Sequence, residues 1–413
     1  MDESIYTPGA GHLPPVLVGR DDLIARWEAA IKGVGRVGRA RALDAVLIGQ
    51  RGVGKTVTLT ALTQKAKSFG FLNISLQAVA GHDGLIAALL DQVKDRADAQ
   101  EGPWRRAGRV FARLEGLSIG VAGISGSISL ARQNAREHPV DAARLAEALS
   151  ALAYEIRKDN PDGGLLITVD EMQVAAAADL ALLAAVLQRL NVDYPKSTVL
   201  FAGTGLLNTP DVLQKAGVTH PDRLFTIIEI PRHLTEDEAL YAVEEPARRV
   251  GVEWDPEAAW SVVQDSNCFP AHLQLFADLA WANADGPLRI EIPDAVAARQ
   301  LGKQAIEERT LIPRWRGLSP RKREILAALA TFGGVASRSQ LSKALGKTPQ
   351  KTSWLIDELV KDGDIFSPSR NLLALAVPAF ADVILQRYDQ ELEFATKKLL
   401  SLDELRANAG ADE

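Results

Sequence analysis

Over the first 230 positions, short apolar runs bounded by turn residues alternate with longer amphipathic stretches. LDAVLIG (43–49), FLNISLQAV (71–79), LLITVD (165–170), STVLFAG (197–203) and LFTIIEI (224–230) are too short for buried helices and read as strands. Helical stretches lie between them, such as TVTLTALTQKAKSFG, closed by Gly70, and ADLALLAAVLQRL. Strands that are apolar throughout, alternating with helices, predict a parallel sheet covered on both faces. The longest apolar stretch, Val174 to Leu190, carries Asp179, Gln188 and Arg189, so it reads as a buried helix and not as a membrane span.

After Pro231 the pattern turns helical. Thr235 and Glu238 have the spacing of a capping box, and Pro256, Pro270 and Pro293 each sit where a helix can begin. The segment 313–320, with Gly317 and Ser319, reads as a linker. Beyond it the pattern predicts helices over 319–332, 337–345 and 349–362, a hairpin over 364–376 and a last helix, the order of a winged helix. Five regions result: an extension (1–42), an α/β core (43–231), a helical domain (232–312), a winged helix (313–390) and an acidic tail (391–413). The core carries an insertion of about ninety residues between its second and third strands, with a helix over 84–97. Its arginine-rich part (100–136) holds Arg105, Arg106, Arg109, Arg113, Arg132 and Arg136, and an alternating SIGVAGISGSISL that suits a hairpin. Those arginines suit contact with phosphate or a partner protein, or form a solvated basic face. KGVGRVGRAR (32–41) reads as a flexible basic loop.

Composition narrows the class. The 413 residues are 47% hydrophobic and 24% charged, which excludes collagen-like, disordered and disulfide-scaffold chains. The single cysteine, Cys268, forms no internal disulfide and fits a reducing compartment. The opening MDESIYTPGAGHLPP lacks the charged-then-apolar pattern of a signal peptide, so a cytoplasmic location without membrane association is expected. The net charge of -6 hides an asymmetry: residues 313–390 carry +5, 391–413 carry −3 and the rest −8. A basic winged helix on an acidic chain suits contact with the phosphates of double-stranded DNA. The helix TPQKTSWLIDELVKDG offers Gln350, Lys351, Thr352 and Ser353 to a duplex, whereas Asp357, Glu358 and Asp362 would repel it. Winged helices also bind proteins, so DNA and a partner protein both remain open.

Two motifs carry chemistry. Gly49-Gln50-Arg51-Gly52-Val53-Gly54-Lys55-Thr56 matches G-x-x-x-x-G-K-[ST], preceded by a strand and followed by a helix. In such a loop glycines let backbone N–H groups surround phosphate oxygens, and the helix start adds its positive dipole end. Lys55 would reach the β- and γ-phosphates of ATP and the Thr56 hydroxyl would hold Mg²⁺. LLITVDEMQ ends in Asp170-Glu171 at the carboxyl end of a strand, where α/β sheets bind ligands. Asp170 would complete the Mg²⁺ shell and Glu171 would polarise the attacking water. Thr204, after STVLFAG, is either a hydrogen-bonding partner of that water or a turn residue. Arg223, before LFTIIEI, is either an arginine finger toward a neighbouring subunit's nucleotide or a loop arginine. A nucleotide kinase is disfavoured because no lid for a second substrate is visible. A dehydrogenase is disfavoured because no GxGxxG follows the first strand.

Taken together, PPVLVGRDD, GQRGVGKT, LITVDE, FAGTG, DRLF, EEPARRVGVEWD and NCFPAHLQLFADLAW resemble an AAA+ ATPase of the bacterial origin-recognition/initiator-like group, related to the STAND signalling ATPases. The resemblance spans about residues 6–390. It implies an α/β P-loop NTPase fold followed by a helical lid (232–312) and a winged helix. It also implies that Val18-Gly19-Arg20 lies against the adenine base. Where related initiators place a sensor arginine at the start of a lid helix, Cys268-Phe269-Pro270-Ala271-His272 has none, which implies slow hydrolysis. The expected protein is a switch driven by ATP and ADP, with nucleotide-dependent homo-oligomerisation and DNA or protein binding as its output. The alternative is an adaptor in which the bound nucleotide is structural.

Overall fold

Five parallel strands form one sheet in a computed structural model of the chain, which describes residues 4–9, 11–79, 84–99, 102–114, 141–284, 288–369, 371–377, 380–392 and 399–410. By compactness the chain divides into 9–49 with 53–232, and 1–8 and 50–52 with 233–413.

In the first unit the strands are β1 (Ala45–Ile48), β2 (Leu72–Gln77), β3 (Leu165–Asp170), β4 (Val199–Gly205) and β5 (Thr226–Glu229), in the order β2-β3-β4-β1-β5. Helices α1 (Asp21–Val37), α2 (Lys55–Ser68), α3 (Leu85–Asp98), α4 (Gly102–Leu114), α5 (Ala142–Asp159) and α6 (Ala177–Asp193) alternate with them, followed by α7 (Thr209–Lys215) and the single turn α8 (Pro221–Leu224). Parallel strands need crossover helices, and these bury both faces, so β1 and the first five residues of β3 are apolar or small and buried throughout. Val46, Ile167, Val169, Leu187 and Phe201 meet in the core, with Phe201 tilted on Phe225 at 5.5 Å between ring centres.

Two expectations change here, and a third is not tested. β4 runs two residues further than STVLFAG suggested, because Thr204 and Gly205 stay in register with Leu47 and Ile48 of β1. The stretch 32–41 is not a flexible loop. It finishes α1 and makes a 3₁₀ turn, Arg39–Arg41, whose first side chain is buried. The Arg39 guanidinium forks onto Asp44, donates to Asn191 Oδ1 at 2.9 Å and to the Val199 carbonyl at 2.8 Å, so its donors are consumed inside the protein. The alternating SIGVAGISGSISL, with Arg132 and Arg136, lies outside the described residues.

The second unit is mainly helical. α9 (Glu236–Arg249) opens with the expected capping box of Thr235 and Glu238, and α10 (Pro256–Ser266) and α11 (Pro270–Asn283) begin at their prolines. α12 (Ile292–Ile306) runs through a π turn, Glu307–Leu311, into α13 (Ile312–Gly317). Two short strands, β6 (Glu253–Trp254) and β7 (Arg289–Ile290), pair in parallel. Tyr6 is buried here: its hydroxyl donates to the Val243 carbonyl and accepts from Trp254 Nε1 at 2.9 Å. The supposed linker at 313–320 is therefore largely helix, and its Trp315 is buried edge-on against Tyr388 with Nε1 donating to Glu391. Then come α14 (Pro320–Thr331), β8 (Val335–Ser337), α15 (Arg338–Ala344), α16 (Pro349–Asp362), β9 (Ile365–Ser369) and β10 (Leu372–Leu375), with an antiparallel sheet β8-β10-β9. Helix, strand, two helices and a hairpin give the winged-helix order. α17 (Phe380–Leu392) and α18 (Leu402–Gly410) follow, and Leu402 and Leu405 of the acidic tail are buried in the same core.

A buried carboxylate ties that core together. Glu324 accepts from Lys347 at 2.6 Å, Arg321 at 3.0 Å and the Leu400 N–H at 3.1 Å. Burial alone would raise its pKa, but these donors outweigh burial and hold it below the ordinary value. The depressed carboxylate stabilises the fold above the unfolded value of about 4.3, and that contribution is lost as pH falls through the folded value. Glu324→Gln is thus expected to be less stable than wild type at pH 7, with the gap closing in urea melts below about pH 4. In the first unit, Asp44→Ala leaves the buried Arg39 charge uncompensated and is expected to cost about 3–5 kcal/mol in urea unfolding. Arg39→Met combined with Asp44→Leu is expected to lose clearly less than Asp44→Ala.

Candidate functional site

The carboxyl ends of β1, β3 and β4 lie side by side, and the residues at and just after these ends carry the polar groups. After β1 the chain turns through the glycine-rich loop 49–54. Gly52 (φ 85°) and Gly54 (φ 90°) take left-handed conformations that other residues rarely adopt, and this curls the backbone toward the start of α2. Lys55 and Thr56 occupy the first turn of α2, with Lys55 buried. The loop's first residue is tied to the sheet, since the Gly49 N–H donates to the Gly205 carbonyl at 3.2 Å.

Asp170 ends β3 and collects two threonines. The Thr56 hydroxyl donates to its Oδ2 at 3.0 Å, and the Thr204 hydroxyl donates to its Oδ1. Thr204 is fully buried in β4 and also accepts from the Glu171 N–H at 3.1 Å. It is therefore a strand residue held against both acidic positions, and the turn alternative drops out. Glu171 itself has φ 59° and ψ 42°, a left-handed conformation unusual for a residue with a side chain. Such strain persists only where the surroundings enforce it, and it concentrates at functional sites. Gln173, which sequence reasoning passed over, is buried and hydrogen-bonded to the Glu171 carboxylate. The signal was a polar residue two positions after the acidic pair, in a stretch otherwise flanked by Met172 and Val174.

A hydroxyl and a carboxylate 3.0 Å apart form the hard-oxygen donor pair that suits Mg²⁺, which takes most of its remaining ligands from water and phosphate. Among the described residues no cluster of three or more His, Cys, Asp or Glu side chains forms an all-protein metal cage. The residues thus fit a magnesium ion held together with a nucleotide.

Arg20 and Arg223 stand differently. The Arg20 guanidinium is buried and donates to its neighbour's carbonyl, Gly19 O, at 2.7 Å and to Val53 O, in the phosphate loop, at 3.0 Å. It braces the loop's backbone. Arg223 is exposed in α8, just before β5, and thus at the amino end of the strands, opposite the phosphate loop. There it lines an open cavity of about 300 Å³ with Asp222, Asn191 and Asp44. The structure brings Thr56, Asp170, Glu171 and Thr204 together and leaves Arg223 at the far end of its own sheet.

Residues 16–200 match the family described as the AAA ATPase domain, and residues 308–384 match a domain of unknown function, DUF8462. The first match covers less than half of the chain, and it supports a nucleotide-binding ATPase. The Walker-type ATPase PABY2304 of Pyrococcus abyssi is similar in fold, with a TM-score of 0.54 and 18% identity over 89% of this chain and 96% of that one. So is the ORC2 protein of Aeropyrum pernix, solved as ADPNP–ADP complexes, with a TM-score of 0.55 and 16% identity over 95% of this chain and 99% of that one. No curated protein matches the sequence. The fold is accordingly a P-loop NTPase sheet followed by a helical region and a winged helix.

The bracing role of Arg20 has a direct consequence. In Arg20→Lys a single ammonium cannot span the two carbonyls, and the lost charge-assisted bond is worth about 1.5–3 kcal/mol. ATP binding measured by calorimetry is expected to weaken about tenfold or more, and an unchanged affinity would mean the loop keeps its shape without the guanidinium.

Proposed function

We propose that the protein is an ATP-driven switch that hydrolyses its nucleotide slowly and couples nucleotide state to DNA binding through residues 313–390. The network of Thr56, Asp170, Thr204 and Glu171 supports this reading more than any other observation. In it the loop 49–54 and Lys55 hold the phosphates, and Thr56 and Asp170 hold Mg²⁺. Magnesium held there would supply charge compensation for the phosphates. Glu171 accepts the proton of the attacking water, and Thr204 keeps Asp170 and the Glu171 backbone in place. Val18-Gly19-Arg20 lies against the adenine base, and Arg20 also braces the loop. Slow turnover is proposed because Cys268 to His272, the entry to α11 and its first residues, contains no arginine. Arg223, exposed and remote from its own site, suits a role toward a neighbouring copy in a nucleotide-dependent oligomer. The motifs DRLF and EEPARRVGVEWD favour the bacterial initiator-like, STAND-related group.

Two features of α16 favour DNA over a protein partner. Gln350 and Lys351 are exposed at its start, and Trp354 is 67% exposed. Its acidic residues are engaged within the domain: Asp357 pairs with Arg338 at 3.2 Å, and Glu358 and Asp362 pair with Lys322 at 3.1 and 2.8 Å. Such exposed pairs contribute little stability, but each places a cation beside the carboxylate and offsets its charge. Among the described residues no helix is long and apolar enough to cross a membrane, and a cytoplasmic setting fits the proposed partners.

Lys55→Ala is expected to abolish ATP binding. Glu171→Gln is expected to bind ATP, stall hydrolysis and shift either the mass seen by light scattering or the affinity for duplex DNA. Removal of 313–413 is expected to abolish salt-sensitive DNA binding. If Glu171→Gln leaves turnover, assembly and DNA affinity at wild-type values, the nucleotide is structural and the protein is an adaptor. If DNA binding survives the truncation, the winged helix is not the contact.

A further inference from the structure

Immediately after Glu171 the chain makes one 3₁₀ turn, Met172–Val174, and the middle residue of that turn points its amide back to the acidic pair. Gln173 is buried to 2% exposure and bonded at both ends. Its Oε1 accepts from the Leu206 N–H at 3.1 Å, and its Nε2 donates to the Glu171 carboxylate. The direction of the amide follows from the partners. A backbone N–H only donates, so the oxygen must face Leu206, which leaves the NH₂ for Glu171.

Leu206 is itself fixed. It follows directly on Gly205, whose carbonyl accepts from the Gly49 N–H, and its own carbonyl accepts from the Thr209 hydroxyl at 2.6 Å. A continuous path therefore runs from the first residue of the phosphate loop, through the end of β4 and the Gln173 amide, to the Glu171 carboxylate. A glutamate on a left-handed residue, on a chain leaving the sheet, has a freely turning carboxylate unless something holds it. Leucine at 173 would fill the space and hold nothing.

We propose that Gln173 is a positioning residue that fixes the Glu171 carboxylate relative to the phosphate loop. The inference rests on the reading of Glu171 as the hydrolytic residue. A misplacement of about 1 Å in such a group costs on the order of a hundredfold in rate without touching ground-state binding. Gln173→Leu removes both bonds at similar volume. Gln173→Glu keeps the acceptor for Leu206 but sets one carboxylate against another and cannot donate to Glu171.

The test is steady-state ATP turnover of the full chain, with ATP affinity measured separately on each variant. Both variants are expected to lower kcat by about tenfold to a hundredfold while KM and the dissociation constant stay within about twofold. Glu171→Gln combined with Gln173→Leu is expected to be no slower than Glu171→Gln alone, because groups acting as one unit are not additive. Wild-type or raised kcat in both Gln173 variants, with Glu171→Gln inactive, would overturn this inference alone. ATP affinity that falls as far as kcat would also overturn it, since that pattern belongs to a damaged fold. Wild-type turnover in Glu171→Gln would remove the hydrolytic reading and this inference with it.

Discussion

Asp170 accepts hydrogen bonds from two threonines that arrive on different elements, Thr56 on the first turn of α2 and Thr204 at the end of β4. That convergence is possible only because the sheet is parallel and its register is fixed. β3 and β4 pair through Val169 and Gly203, and β1 pairs with β4 through Leu47 and Thr204. A slip of one residue in β4 would turn Thr204 to the other face and put Gly205 or Gly203 beside the carboxylate. The apolar strands thus do more than bury area. Their packing sets which polar groups share the edge where a phosphate would lie.

The same edge explains the division of labour among the arginines. Arg39 is consumed at the amino end of β1, holding Asp44 and the Val199 carbonyl, and contributes to the sheet's integrity. Arg20 braces the Val53 carbonyl from outside the sheet. Arg223 is exposed. Three residues of one type therefore carry three different consequences for substitution. What separates them is burial and the number of acceptors within reach.

Much of this was legible in the sequence. The five strands follow from apolar runs too short for helices, and the loop 49–56 and the pair Asp170-Glu171 stand out by spacing and by their places at strand ends. The misses share a physical cause: each involves a polar or aromatic side chain whose partner is distant along the chain. KGVGRVGRAR has the composition of a mobile loop, yet Arg39 meets Asn191 and Val199 some 150 residues later and is buried by them. The proline and glycine of 313–317 suggested a linker, yet Trp315 anchors that turn against Tyr388 and Glu391. Gln173 belongs to the same set, since its role depends on Leu206, whose approach no local pattern announces. The extent of β4 was misjudged for a related reason. Glycine and threonine read as a turn until the neighbouring strand supplies the ladder.

On the proposed function, the phosphate loop and the end of β3 form one site for a nucleotide with its magnesium ion. Calorimetric titration of the full chain with ATP, in Mg²⁺ and again in EDTA, tests it most directly. One site per chain is expected, weakened when magnesium is withheld because Thr56 and Asp170 then lack the ion that would link them to the phosphates. Absence of binding in both buffers, or equal affinity in both, would contradict it.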